Sequence, residues 1–238
     1  MKIRDVMTKE LIKSNPDSEL EDAMKIMITK GIRRLVVGDL LGIVTVRDLV
    51  YGWLEGKKRV KDVMTTDLLM VSPDLEVRQA TKIMTGKGVG SLLVYENDKV
   101  VGIVTERDLL RSCRIEGEAR VGDVMKVDPV ISSPNASVME IANVMKENWE
   151  RHAIVVEESL PAGVISIRDV AESIVQGKAK SRASEIMRRP VYKVTPDSLL
   201  ETARTLMSTE NIGYLPVVDS RTVLGSVEER EILAVVSI

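Results

Sequence analysis

Three stretches of the chain place a hydroxyl residue three positions ahead of an aspartate, each after a short apolar run opened by glycine. They are Thr45 with Asp48 after Gly42, Thr105 with Asp108 after Gly102, and Ser166 with Asp169 after Gly163. A fourth stretch, from Gly225, ends instead in Glu228 and Glu231. Where a strand gives way to a helix, this spacing serves two chemistries. In a capping box the hydroxyl accepts from a backbone N–H of the first turn, and the acid reaches back to the capping residue's own N–H. In a nucleotide site the positive helix start and the hydroxyl meet a phosphate, while the carboxylate accepts from a ribose diol. The two readings are compatible, because a capping residue can also face a ligand. Glu228 sets a negative charge where the phosphate would lie, so the fourth stretch is expected to refuse a nucleotide phosphate.

Basic residues near these corners fall into two groups. Arg47, Arg107, Arg168 and Arg230 precede the acid in all four stretches, including the one whose hydroxyl is lost. Persistence without the site marks them as surface or interface ion-pair residues, outside the binding set. The second group lies ahead of the first hairpin strand, where the chain reads Arg33-Arg34, Gly90-Ser91, Arg151-His152 and Gly213-Tyr214. Solvated loop charge is the plain account of these pairs.

The elements that must carry these residues recur with a fixed period. Hydrophobic–Met pairs open each copy at Val6-Met7, Val63-Met64, Val124-Met125 and Ile186-Met187, and prolines follow at 16, 73, 134 and 196. Such a period marks a repeat architecture. In the first copy, Leu11 to Lys13 is a short extended piece and Ser18-x-x-Glu21 a capping box. Leu20, Ala23, Met24, Met27 and Ile28 fall at helical spacing, and Gly31 suits the left-handed end of that helix. Arg34 to Val37 and Leu41 to Val46 then form a hairpin about Gly38-Asp39, and a second helix runs from Asp48 to about Leu54. The order is β-α-β-β-α, in an α/β (α+β) chain of four repeats. Their bounds are about 1–56, 57–117, 118–179 and 180–238, paired as halves 1–117 and 118–238, since about 60 residues bury little core alone.

Composition narrows the function. The 238 residues carry 34 Lys+Arg against 36 Asp+Glu, a net charge of −2, which argues against a nucleic-acid binder. The single cysteine, Cys113, excludes an internal disulfide and fits a reducing compartment. It has no second cysteine for a zinc site, and one histidine supports no catalytic triad. No apolar run reaches membrane-spanning length and the first residues lack the apolar centre of a signal peptide, so a cytoplasmic location is expected. Gly86 to Gly90 lacks phosphate-loop spacing and follows a helix, so helix termination explains it. Methionines at core spacing read as adaptable filler.

The sixty-residue period, the β-α-β-β-α order and the closing Gly-hydrophobic-hydrophobic-Thr/Ser-x-x-Asp pattern together resemble cystathionine β-synthase (CBS) domains. With four copies and no attached enzyme domain, the chain is similar in architecture to the gamma subunit of AMP-activated protein kinase. The resemblance implies two modules closing into a pseudo-fourfold disc, and adenosine ligands (AMP, ADP, ATP or S-adenosylmethionine) in clefts between paired repeats. It implies no catalysis and no required cofactor or metal, but a regulated protein partner acting in trans, with the chain a monomeric disc or a homodimer. By the same resemblance Thr45, Thr105 and Ser166 contact phosphate, Asp48, Asp108 and Asp169 contact ribose, and Arg33, Arg34, Arg151 and His152 line a central channel. Adenine would lie along the opening strands, at Ile12, Lys13, Met70, Val71, Val130, Ile131 and Tyr192. A ligand-independent dimerisation or docking scaffold is the alternative.

Overall fold

The computed structural model describes residues 1–236. In copy 1, strand β1 (Lys13–Ser14) leads into helix α1 (Leu20–Lys30), the hairpin β2 (Arg34–Val37) and β3 (Gly42–Thr45), and helix α2 (Val46–Leu54). Copy 2 repeats this as β4 (Met70–Val71), α3 (Val77–Lys87), β5 (Ser91–Glu96), β6 (Lys99–Thr105) and α4 (Glu106–Ser112). Copy 3 has β7 (Ile131–Ser132), α5 (Val138–Glu147), β8 (His152–Glu157), β9 (Leu160–Ser166) and α6 (Ile167–Val175). Copy 4 opens on a short helix α7 (Ala183–Ile186), followed by α8 (Leu200–Thr209), β10 (Tyr214–Val218), β11 (Val223–Glu228) and α9 (Glu229–Val236). Copies 1 to 3 each form a three-stranded sheet, in which the opening strand lies parallel to the first hairpin strand. In copy 4 a lone parallel bridge, Val194 with Val217, stands where that strand would be. Among the described residues, no helix is long and apolar enough to cross a membrane.

The sequence markers of the repeat meet in an exchange of leading segments. The residues around each hydrophobic–Met pair dock on the neighbouring copy instead of their own. Arg4 N–H donates to the Pro73 carbonyl, Lys61 N–H to Pro16, Gly122 N–H to Pro196 and Ser184 N–H to Pro134, at 2.9 Å each. The lead of copy 1 therefore sits on copy 2 and that of copy 2 on copy 1; the leads of copies 3 and 4 exchange likewise. Each lead also contributes one fully buried apolar residue, Ile3, Val60, Val121 or Ala183, to the copy it docks on.

The closing glycines follow from the same exchange. A Cβ on Gly42 would stand 2.8 Å from the Thr65 carbonyl oxygen, and one on Gly102 2.8 Å from that of Thr8. Beside Gly163 the crowding atoms belong to Met187, and beside Gly225 the nearest is the Lys126 carbonyl oxygen. Only a residue without Cβ lets the exchanged strand approach so closely.

Helix starts are sealed by the exchanged leads as well. Leu20 N–H donates to Lys58, Val77 N–H to Met1, Val138 N–H to Ser181 and Leu200 N–H to Ala119. This corrects the capping box expected at Ser18: α1 begins one residue later, with Glu19 at the capping position and no side-chain cap, and the Lys58 carbonyl of the lead meets its first N–H. Helix α2 likewise begins at Val46, two residues before the expected Asp48. Gly31 ends α1 in the left-handed region at φ 69°, as its position suggested.

Two compact units result. One joins Met1–Leu11, Leu68–Asp128 and the chain from Tyr192 on; the other joins Ile12–Asp67 and Pro129–Val191. They differ from the expected halves 1–117 and 118–238: each holds the bodies of alternate copies, with the leads docked on them. Helix contact is the reason. In the unit of copies 2 and 4, α9 lies against α3 and α4 over a core that includes Met84, Leu109, Leu215 and Leu233. In the unit of copies 1 and 3, α6 lies against α1 and α2 over Met24, Leu49, Met145 and Val170.

Candidate functional site

At the corner between β3 and α2, the Thr45 backbone is extended and a capping box closes from both sides. Asp48 N–H donates to Thr45 Oγ1 at 3.2 Å, while Thr45 N–H and its hydroxyl donate to Asp48 Oδ2 at 2.8 and 2.7 Å. The corner between β6 and α4 repeats this, with Thr105 N–H and hydroxyl 2.9 and 2.7 Å from Asp108 Oδ2. The corner between β9 and α6 does so with Ser166 N–H and hydroxyl 2.8 and 2.6 Å from Asp169 Oδ2. The capping role is thus realised three times, and it uses one oxygen of each aspartate.

The second oxygen separates the copies. Among the described residues, no hydrogen bond or ion pair falls on Oδ1 of Asp48 or Asp108, and both residues are half-buried. In copy 3, by contrast, Asp169 is buried, and Arg188 Nε donates to its Oδ1 at 2.6 Å with Nη2 at 2.6 Å from the same oxygen. In copy 4, Glu228 N–H donates to Glu231 Oε2 at 2.7 Å, and Lys126 Nζ stands 3.9 Å from Oε1. Burial and the neighbouring Glu228 carboxylate raise the Glu231 carboxyl above its ordinary value, against the pull of Lys126.

Sequence reasoning passed over these two cations, although a signal was present. The residue after each opening methionine is Thr8, Thr65, Lys126 and Arg188, and its backbone pairs with Ile103, Ile43, Ser226 and Val164 respectively. The exchange carries the cations of copies 3 and 4 to acids far off in sequence, and leaves threonines at the matching places for copies 1 and 2.

Strand register sets Arg34 and His152 across from the corner hydroxyl residues. In the antiparallel register Arg34 lies opposite Thr45 and His152 opposite Ser166, where copies 2 and 4 have Ser91 opposite Thr105 and Tyr214 opposite Glu228. Facing residues of such a pair lie about 5 Å apart at Cα. The Arg33 and Arg151 carbonyls accept the first helical N–H of α2 and α6, from Val46 and Ile167. Those backbone donors are therefore engaged, and so are Asp48 N–H and its counterparts.

Of the residues expected beside a base, Ile12 and Val130 lend carbonyls to Val36 and Ile154 in the hairpin. Lys13 pairs with Asp39 at 2.9 Å. Met70 and Ile131 are exposed apolar residues, Val71 is half-buried, and Tyr192 stands by Glu210, whose carboxylate raises its phenol. The arginines set aside serve within each unit. Arg107 Nε bonds Glu229 at 2.7 Å and Arg230 Nε bonds Glu106 at 2.8 Å, both acids being buried. Arg168 donates to the Ile28 and Ile32 carbonyls, and Arg47 stacks 4.4 Å over Trp149. Burial pushes the Cys113 thiol up to about 11, which leaves it protonated and a poor nucleophile. Among the described residues, no group of three or more His, Cys, Asp or Glu could hold a metal ion.

Comparison with known proteins agrees with this architecture. The CBS domain matches residues 3–54, 60–114, 121–176 and 183–238. Protein MJ1225 of Methanocaldococcus jannaschii is 23% identical, with 94% of this chain and 95% of that protein covered. Its crystal structure, reported as that of a proposed archaeal homologue of the gamma subunit of AMP-activated protein kinase, superimposes with a TM-score of 0.85. That alignment has 22% identity and covers 98% of this chain and 99% of that one. A 33.4 kDa protein from a ribosomal RNA operon of Thermofilum pendens is 28% identical over 82% of this chain and 76% of its own. Inosine-5'-monophosphate dehydrogenase of M. jannaschii is 35% identical, but over only 50% of this chain and 25% of the enzyme. Four matched stretches that span nearly every residue, three folded as β-α-β-β-α repeats and the fourth with a single bridge in place of its opening strand, place the chain in the CBS domain family.

Proposed function

We propose that this protein is a regulatory sensor without catalytic activity, which binds an adenine nucleotide at its strand–helix corners and signals to a partner protein. CBS-domain pairs are regulatory, ligand-binding units, which sets the class. The observation that carries the reading is the half-used aspartate. Asp48 and Asp108 hold their caps through Oδ2 alone, so Oδ1 is available to a ribose diol without loss of the helix start. In copy 1, Arg34 across from Thr45, with Arg33 beside it, supplies positive charge for a phosphate. AMP, ADP and ATP share the chemistry these groups recognise, and the likeness of fold to the proposed gamma-subunit homologue favours them over S-adenosylmethionine. A ligand that prefers one conformation would shift the population a partner reads. In copy 4, Glu228 and Glu231 would repel a phosphate.

Calorimetric titration with AMP, ADP, ATP and S-adenosylmethionine tests this reading. Asp48→Asn and Asp108→Asn keep an oxygen for the cap but lose the charge. Each is expected to weaken one binding event roughly tenfold to a hundredfold, the worth of a hydrogen bond to a charged group. No heat with any of the four ligands would favour the docking scaffold instead.

A further inference from the structure

The corner of copy 3 has the hydroxyl, the acid and the neighbouring basic pair, yet its acid is fully engaged. Asp169 Oδ2 accepts the Ser166 N–H and hydroxyl, and Oδ1 accepts Arg188 at 2.6 Å. The Arg188 side chain is 62% exposed, but the point it springs from is held. Its backbone is fixed by the exchanged bridge, with Arg188 N–H 2.9 Å from the Val164 carbonyl and Val164 N–H 3.3 Å from that of Arg188. The acid is 5% exposed, so its charge has little water to turn to. A ribose diol would have to displace a charge-assisted pair from a buried carboxylate and offer neutral hydroxyls in return.

We infer that Arg188 is an internal occupant of the copy-3 corner, standing where a ribose diol would bind and excluding adenosine ligands from it. Resting on the proposed nucleotide reading, this makes the corners unequal by pair. Those of copies 1 and 2, whose exchanged leads supply Thr65 and Thr8, are open to a diol. Those of copies 3 and 4, whose leads supply Arg188 and Lys126, hold a cation of the chain's own. Arg188 is then a specificity-determining residue, although it lies outside the corner motif.

The test is the number of AMP molecules bound per chain, by calorimetry on the full-length protein. Arg188→Thr, which installs the residue of the other pair, is expected to add one binding event. Asp169→Asn in that background is expected to remove it, while Asp169→Asn alone leaves the wild-type count unchanged. Arg188→Thr that folds with wild-type circular dichroism and adds no event overturns the inference. So does a wild-type count that falls with Asp169→Asn alone, a comparison that still decides if Arg188→Thr does not fold. The two readings fail separately. If Asp48→Asn and Asp108→Asn change nothing but Arg188→Thr adds an event, the copy 1 and 2 assignment falls and this one stands. If the first two variants each weaken an event but Arg188→Thr adds none, only this inference falls.

Discussion

Gly102→Ala isolates the exchange of leads from everything else in the fold. A Cβ there would lie 2.8 Å from the Thr8 carbonyl oxygen and 2.9 Å from Met7 Sδ. An ordinary carbon–oxygen approach is about 3.3 Å or more, so the lead must withdraw by roughly half an ångström. The two bonds of that bridge, Thr8 N–H to Ile103 and Ile103 N–H to Thr8, are 2.9 Å each. Withdrawal takes them to about 3.4 Å, beyond the normal range. Each bond has a net worth of about 1 kcal/mol, and overpacking adds its own cost, so a loss of about 2–3 kcal/mol is expected. Urea unfolding followed by circular dichroism measures it, and in a chain of this size the melting temperature should fall by roughly 4–12 °C. Gly86→Ala is the matched control. It lies in α3 with nothing within 4 Å of the added carbon, so it should stabilise by about 1 kcal/mol through helix propensity. If Gly102→Ala matched wild type within about 0.5 kcal/mol, close approach of the lead would not be why glycine stands there.

Two further outcomes follow from the helix starts and the fourth corner. Ser137→Ala removes a side-chain cap that accepts Glu140 N–H and should cost about 1 kcal/mol, whereas Ser18→Ala, at a helix sealed by the Lys58 carbonyl, should be neutral in the same urea titration. Glu231 is an acid whose folded-state value is raised, so the native state binds its proton more tightly than the unfolded chain does. Its contribution therefore falls as pH rises from the ordinary 4.5 through the folded value. Glu231→Gln keeps an acceptor for Glu228 N–H and should melt above wild type at pH 7, an advantage that vanishes below about pH 4; a melting difference independent of pH would refute the assignment.

The repeat, its element order and the capping chemistry of the corners were legible because they are local. Thr45 and Asp48 are three residues apart, and the geometry that makes them a cap is set by the turn between strand and helix. Gly31 ended its helix as expected for the same reason. Partners distant in sequence were not legible. Ser18-x-x-Glu21 has the spacing of a capping box, but the exchanged lead meets the helix at Leu20, which leaves Glu19 and not Ser18 at the capping position. Nothing local to Asp169 says that Arg188, docked by the exchange, will occupy its second oxygen. The comparison among copies sets Arg47, Arg107, Arg168 and Arg230 apart as ion-pair residues; Arg107 and Arg230 pair with Glu229 and Glu106, whereas Arg168 donates to backbone carbonyls and Arg47 stacks on Trp149. The same comparison, applied to the position after each opening methionine, would have shown the threonine-to-cation change at copies 3 and 4.

The exchange also explains why the chain carries its markers in separated places. Val-Met, proline and glycine are distant within a copy, yet the methionine and glycine meet across the exchange, and the proline carbonyl receives the same lead. A copy folded alone would lack the apolar residue its neighbour supplies, the carbonyl that seals its first helix and the backbone that covers its glycine. Two consecutive copies are thus the smallest set in which every lead has its acceptor. The residue after the methionine is thereby held beside a neighbour's corner through its backbone. In copies 3 and 4 that position also reaches the acid of the copy it docks on, Arg188 at Asp169 and Lys126 near Glu231, while the backbone exchange is the same in all four.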